Sequence, residues 1–178
     1  YLLLQGKPVL YYSLKAFQEC PFIDEIILVT GEEEISYCQE EIIRKFNLDK
    51  VKQIVPGGKE RYHSVYEGLK AAGDCHLVFI HDGARPFVDQ GILERTKEAA
   101  ETYQACVAGM PVKDTIKLSD GHGTAVETPR RDLLWMIQTP QVFDCALIRE
   151  AYRKLMESDG TLAVTDDAMV LESIEGKK

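Results

Sequence analysis

His76-Leu77-Val78-Phe79-Ile80 runs directly into His81-Asp82-Gly83-Ala84-Arg85-Pro86, and this stretch decides the fold. Leu77 to Ile80 is apolar without interruption. A strand with one wet face alternates apolar and polar residues; an unbroken run predicts a strand of a parallel sheet covered on both faces. The loop behind it changes character at once, to a carboxylate, a glycine and a guanidinium. In open α/β sheets ligands bind outside the carboxyl ends of the strands. The same eleven residues therefore predict an architecture and a place to look for chemistry.

Working outward, helical and strand signals alternate on both sides. Upstream, Pro8 to Gln18 predicts a helix, Glu25 to Thr30 a buried strand, Ser36 to Phe46 a helix and Val51 to Val55 a short strand. Arg61 to Ala72 places Val65, Leu69 and Ala72 on one helical face. Downstream, Asp89 is the expected N-cap of a helix reaching Tyr103, Ala105 to Val112 is a strand, and helices are expected near Cys145–Met156 and Thr165–Ser173, with Thr165 a default N-cap. Alternation of this kind predicts one α/β domain over residues 1–178, Rossmann-like, with a mostly parallel sheet covered by helices.

Residues 114–129 break the pattern. Thr115-Ile116-Lys117-Leu118, a turn at Ser119 to Gly123, and Thr124 to Glu127 form an expected projecting hairpin. A lone hairpin is marginally stable, so this arm is expected to lie on a second subunit and make a homodimer. The ends also depart from the pattern. The chain has no starting Met, its first expected element is a helix where a doubly wound sheet usually opens with a strand and a glycine-rich turn, and Gly176-Lys177-Lys178 show no capping element. We expect both ends of the natural protein to lie outside these residues.

Bulk properties narrow the function classes. With 45% hydrophobic and 28% charged residues the chain is of ordinary globular type. No apolar run approaches the roughly 18 residues of a membrane span, so no membrane partner is expected and the protein is placed in the cytoplasm. A net charge of −8 with scattered Lys and Arg argues against nucleic acid as a partner. Five dispersed cysteines, Cys20, Cys38, Cys75, Cys106 and Cys145, without a C-x-x-C pair, are expected to be reduced thiols, and neither they nor the histidines have zinc spacing.

Two strand-end loops carry the candidate chemistry. Pro56-Gly57-Gly58-Lys59-Glu60-Arg61-Tyr62-His63-Ser64 puts two adjacent glycines before a helix. Glycines admit a ligand close to the backbone, and a helix N-terminus offers N–H groups to an acceptor. A plain turn has the same signature, so the ordered set Lys59, Arg61 and Ser64 carries the added weight. In the second loop, Asp82 can bind a hydroxyl or Mg²⁺, and Arg85 can grip phosphate through two N–H groups; a local Asp–Arg ion pair is the structural alternative. Thr115, Arg130, Arg131, Thr139, Gln141, Thr165, Asp166 and Asp167 are further candidates.

Five motifs in order give the chain a family resemblance: Gly57-Gly58-x-x-Arg61-x-x-Ser64-Val65, His81 to Pro86, Pro111-Val112-Lys113-Asp114-Thr115-Ile116-Lys117, Arg131-x-x-Leu134-Trp135-x-x-Gln138-Thr139-Pro140-Gln141 and Thr165-Asp166-Asp167-Ala168. Over nearly its whole length it resembles the 2-C-methyl-D-erythritol 4-phosphate cytidylyltransferases of the non-mevalonate isoprenoid pathway. The resemblance implies CMP transfer from CTP to a small polyol phosphate, with Mg²⁺ and release of pyrophosphate, in a dimer interlocked by the arm. It further implies that Gly57, Gly58, Lys59, Arg61 and Ser64 bind CTP, with cytosine read by Gly58, Lys59 and Ser64. Asp82, Gly83, Ala84 and Arg85 are implied to line the shared pocket, and Thr139 and Thr165 to touch the methylerythritol phosphate. Thr115 and Arg131 are implied to reach into the neighbouring subunit's site, Arg131 positioning the attacking phosphate. A glycine-rich loop with an arginine and a lysine before Tyr1, and a lysine after Lys178, are expected by the same resemblance. Ribitol-5-phosphate cytidylyltransferase and a non-catalytic CTP-binding module are the competing readings.

Overall fold

The computed structural model describes residues 1–158 and 164–176. The chain opens on a short hairpin, β1 (Leu3–Leu4) against β2 (Lys7–Pro8), with the turn residues Gln5 and Gly6 both at positive φ, the geometry of a tight hairpin turn. An opening helix was expected; two-residue strands leave too little periodicity to be seen in sequence. Helix α1 (Val9–Glu19) follows, started by Pro8, whose fixed φ suits a helix entry.

Two groups of strands form the sheet layer. β3 (Ile26–Thr30) pairs in parallel with β4 (Val51–Pro56). Between them lies helical segment α2, 3-10 over Glu32–Glu34, α over Ile35–Tyr37 and π-helical over Cys38–Arg44, so the helix expected from Ser36 begins earlier. β5 (Leu77–Ile80) and β6 (Ala105–Pro111) both pair with β9 (Trp135–Asp144), which runs antiparallel to each. β5 and β6 therefore run the same way, with one reversed strand between them. The α/β class stands, but the direct neighbour of the Leu77–Ile80 run is antiparallel, and β9 is a strand the sequence reading did not predict. Its Pro140 has no N–H for a ladder. The ladder with β6 skips from Val107↔Gln141 to Gly109↔Ile137, so Pro140 sits in an irregularity where no donor is needed.

Coverage on both faces holds as expected. Val78 and Ile80 pack with Leu69 of α3 (Arg61–Ala71), Ile148, Tyr152 and Leu155 of α5 (Cys145–Glu157), and Val170 and Leu171 of α6 (Asp167–Glu175). Phe79 faces the other way, toward Phe17 of α1 and Leu93 of α4 (Gln90–Tyr103). A strand pressed by helices on both sides has no position for a polar residue. Leu10, Leu14, Leu28, Ile42 and Ile43 close a third cluster under α1 and α2. Asp89 caps α4 as expected, accepting from Ile92 N–H at 2.8 Å.

Three sequence expectations change. Asp166, not Thr165, caps α6, its carboxylate accepting from Met169 N–H at 2.8 Å. Gly176 ends α6 in the left-handed conformation at φ 65°, a cap of the common glycine kind; Lys177 and Lys178 lie outside the described residues. Cys75 and Cys145 form a disulfide across 70 residues, while Cys20, Cys38 and Cys106 are free. The two partners meet because Cys145 N–H bonds to His76 C=O where β9 ends beside β5, a juxtaposition that chain spacing does not announce.

The arm is present. β7 (Leu118–Ser119) and β8 (Ala125–Glu127) pair antiparallel around a turn ordered by Asp120, which accepts from His122 and Thr124 N–H. Its apolar residues find no cover: Val126 is 64% exposed, as is Leu133 at 68% and Trp135 at 59% beside it. Among the described residues no helix is long and apolar enough to cross a membrane.

Candidate active site

Between β3 and β5 lies a slot-like cleft of about 1200 Å³ lined mainly by apolar side chains of both strands and of α1 and α3, among them Leu10, Phe17, Val29, Leu69 and Phe79, with Ser13, Arg61 and Ser64 among its polar residues. Asp82, Gly83 and Ala84 lie at its wall with Arg61 and Ser64. Arg61 Nε bonds to Asp82 Oδ1 at 3.0 Å, so the two strand-end loops lie side by side, as their positions after β4 and β5 predict.

The first loop is held by its glycines. Gly57 N–H bonds to Thr30 C=O at 2.8 Å, and Gly58 N–H to Ser64 Oγ at 3.1 Å. A Cβ on Gly57 would stand 2.7 Å from Ser64 Oγ, and one on Gly58 2.4 Å from His63 Cβ. Close approach, not positive φ, requires Gly58, whereas at Gly57 the nearest atom is a hydroxyl that can rotate away. The expected open helix N-terminus is filled, however. Glu60 caps α3 and its carboxylate takes the His63 N–H, while His63 Nδ1 accepts from Glu60 N–H at 3.3 Å. An acidic N-cap is the chain's own anion at the positive end of the helix. The turn is therefore suited to a neutral planar group rather than to a phosphate. Lys59 is exposed at its tip.

The second loop is fixed from three directions. Ser13 Oγ lies 2.9 Å from Gly83 C=O and 3.2 Å from Arg85 C=O. His81 Nε2 donates to Arg85 C=O at 3.0 Å, because a carbonyl can only accept. Nδ1 of the neutral ring then accepts from the Thr139 hydroxyl at 3.0 Å, and Thr139 Oγ1 accepts from Asp82 N–H at 3.2 Å. Burial pushes the His81 pKa below its ordinary value, against smaller opposing effects of the Arg85 carbonyl and Asp82, which agrees with this tautomer. Asp82 receives Arg61 Nε on Oδ1 at 3.0 Å and Arg85 Nε on Oδ2 at 2.9 Å. Burial raises the Asp82 pKa, but the bonds and charges of Arg85 and Arg61 outweigh it and hold the carboxyl below its usual range. Asp82 is thus ionised at neutral pH, with one N–H on each oxygen and a second lone pair left on each.

Arg61 reaches further, to Asp167 at the start of α6. Gln141 and Asp167, two of the weaker sequence candidates, stand behind the site on β9 and α6. Tyr152 joins from α5; a tyrosine on the apolar face of a helix carries no signal of such a role. Thr165 is exposed next to this group, its hydroxyl 3.5 Å from Met169 Sδ. Thr115 and Arg131 lie on the arm and its root, where Arg131 Nη1 donates to Lys113 C=O at 2.9 Å. No hydrogen bond or ion pair among the described residues links them to Asp82. The chain itself thus gathers Gly57, Gly58, Arg61, Ser64, Asp82 to Arg85 and Thr139, and leaves Thr115 and Arg131 apart.

Among the described residues no group of three or more His, Cys, Asp or Glu side chains could hold a metal ion. The site's carboxylate, Asp82, already holds two arginines, so it can lend a lone pair to an ion but offers no cage.

Fold and site together define an α/β domain with a glycine turn and a carboxylate clamped by two arginines side by side at its strand ends. Residues 1–178 match the family model described as IspD, 2-C-methyl-D-erythritol 4-phosphate cytidylyltransferase. Proteins of that name are similar to it along the chain: 49% identical over 178 residues in Lachnospira eligens (100% of this chain, 78% of that one) and 51% over 173 residues in Caldanaerobacter subterraneus subsp. tengcongensis (97% and 75%). Among solved structures, the 4-diphosphocytidyl-2C-methyl-D-erythritol synthase of Anaerococcus prevotii superposes with a TM-score of 0.89 at 34% identity, covering 100% of this chain and 77% of that one. The 2-C-methyl-D-erythritol 4-phosphate cytidylyltransferase of Thermus thermophilus follows with 0.81 at 30%, covering 100% and 79%. The chain belongs to the 2-C-methyl-D-erythritol 4-phosphate cytidylyltransferase family and is a nucleotidyltransferase.

Proposed function

We propose that the protein transfers CMP from CTP to 2-C-methyl-D-erythritol 4-phosphate, releasing pyrophosphate, as a cytoplasmic step of isoprenoid precursor synthesis. One observation supports the site assignment: Ser64, which holds Gly58 N–H, and the ionised, doubly clamped Asp82 line the same cavity, joined by the bond from Arg61 to Asp82. A pyrimidine is flat and neutral, and a turn with exposed backbone but no open helix dipole suits it. Gly57, Gly58, Lys59 and Ser64 are its proposed seat. Asp82 takes a substrate hydroxyl on a free lone pair, Gly83 and Ala84 let the ligand approach, and Arg85 and Thr139 face the polyol phosphate with Thr165.

A phosphate monoester is anionic at pH 7 and can attack the α-phosphorus of CTP in line with no base to activate it. The protein's part is to align two anions that repel and to meet charge as it develops. That task needs cations and fixed hydroxyls, not a nucleophile pair. The triphosphate, with one lone pair of Asp82, would hold Mg²⁺, which would supply charge neutralisation there.

The protein is proposed to act as a homodimer. Val126, Leu133 and Trp135, exposed on and beside the arm, are the apolar residues that a partner surface would cover. A second copy covering them would bring Arg131 and Thr115 to the partner's Asp82 cleft. The deciding assay incubates full-length protein with CTP and Mg²⁺ and either 2-C-methyl-D-erythritol 4-phosphate or ribitol 5-phosphate, and follows pyrophosphate. Turnover confined to ribitol 5-phosphate, or none with either, overturns the assignment.

A further inference from the structure

Asp167 touches no part of the cleft, yet its side chain is wholly shut off from solvent and ionically paired. Arg61 spans its carboxylate, Nη1 to Oδ1 at 3.0 Å and Nη2 to Oδ2 at 2.8 Å. The Tyr152 hydroxyl donates to Oδ1 at 2.6 Å. Gln141 Oε1 accepts the N–H groups of Asp167 and Ala168, each at 3.0 Å, and its amide nitrogen donates to Asp166 Oδ2 at 3.2 Å. Every partner of this cluster is itself held, by β9, α5 and α6.

The remaining edge of the same guanidinium faces the cleft. Arg61 Nε donates to Asp82 Oδ1 at 3.0 Å, and Arg61 lines the cavity wall. A guanidinium is planar and rigid, so fixing two of its N–H groups fixes the direction of the third. Asp82 is accordingly gripped between a locked arginine and Arg85, whose own side chain is 43% exposed. Take away Asp167 and Arg61 becomes a flexible, partly solvated side chain holding Asp82 through one bond. A buried ion pair contributes little net stability compared with apolar residues of the same shape. Here it fixes the orientation of a group on the cavity wall.

We propose that Asp167 is a positioning residue: acting through Arg61, it sets the angle at which Asp82 presents its free lone pairs to a substrate hydroxyl. The proposal rests on the cytidylyltransferase reading of the site. Asp167→Asn keeps the shape and removes one charged acceptor. It is expected to raise KM for one of the two substrates on the order of tenfold while kcat changes less than about threefold. Which KM moves tells whether the hydroxyl belongs to CTP or to the polyol phosphate. Arg61→Met should produce the same KM change, and the double variant should be no worse than Arg61→Met alone, because the carboxylate then has nothing to act through. Tyr152→Phe removes a single bond to Asp167 and should move the same KM in the same direction by less. It carries the test if Asp167→Asn fails to fold, and an unmoved KM in it then overturns the proposal. A lowered melting temperature with both KM values unchanged, or losses that multiply in the double variant, also overturns it. Wild-type protein that transfers no CMP refutes the functional reading and the positioning role with it; active wild type with unaltered variants refutes the positioning role alone.

Discussion

Replacing Gly58 with alanine tests the nucleotide seat at one atom. The new Cβ would stand 2.4 Å from His63 Cβ and 3.5 Å from the His63 carbonyl carbon. Carbon atoms rest about 3.5–4.0 Å apart, so a gap of roughly 1 Å must open. Rotating a side chain cannot open it, because His63 Cβ is fixed to the first turn of α3. The turn must move instead, and Gly58 N–H, now 3.1 Å from Ser64 Oγ, is carried out of bonding range. Overpacking of this size costs about 1–3 kcal/mol, which lowers the melting temperature of a domain this long by roughly 2–12 °C. A displacement near 1 Å can weaken a positioned interaction on the order of 100-fold, so CTP affinity should fall between about tenfold and that limit. Calorimetric titration of full-length protein with CTP, beside a thermal melt, separates the two effects. Gly73→Ala is the control: a Cβ there meets nothing within 4 Å, and neither quantity should change. A Gly58→Ala protein that binds CTP within about twofold of wild type would show that the turn does not seat the base.

Arg131→Ala should cost on the order of 100-fold in kcat/KM for the polyol phosphate, the worth of two charge-assisted hydrogen bonds, with CTP affinity kept. Mixing it with Asp82→Ala subunits should restore part of the activity, since each mixed dimer holds one site with both groups; heterodimers without recovery would remove the shared site. Deleting the arm between Thr115 and Thr128 should convert a dimer to a monomer in light scattering, and a dimer that persists refutes the arm's role. Acid should destabilise the protein in two windows. His81 has a folded pKa below its ordinary 6.5, so its contribution is full above that value and declines as pH falls, when the unfolded chain takes the proton first. Asp82, also depressed from its ordinary 3.8, keeps its contribution above 3.8 and loses it as pH falls through the folded pKa. Denaturant titration of His81→Gln across pH 7 to 5 should show the upper decline removed; an unchanged upper window refutes the neutral ring.

Legibility followed locality. Leu77–Ile80 revealed its two-sided cover because Val78 and Ile80 pack on one set of helices and Phe79 on the other, and the loops behind β4 and β5 stood out as strand ends, where ligands collect. Cooperation between distant segments was hidden. β9 carries Gln138, Thr139, Pro140 and Gln141 in its middle, a composition that resembles a loop until β5 and β6 are seen to clasp it on both sides. Glu60 looked like one more charged residue near a glycine turn; only its reciprocal bonds with His63 show that it closes the helix end. Cys75 and Cys145 are 70 residues apart, and nothing between them marks the pairing. Thr115 and Arg131 were singled out by motif alone, and the single chain does not bring them to the cleft.

The bond between Arg61 and Asp167 joins residues 106 positions apart, whereas Asp82 follows Arg61 by only 21. A ribosome adding about 5–20 residues per second makes the near partner within roughly 1–4 s and the far one only after about 5–20 s. A nascent chain can therefore bring Arg61 and Asp82 together early, in a pairing that is native but loose. The lock arrives only with α6. A chain whose synthesis halts before α6 has both loops of the cleft and lacks the group that holds Arg61 in place.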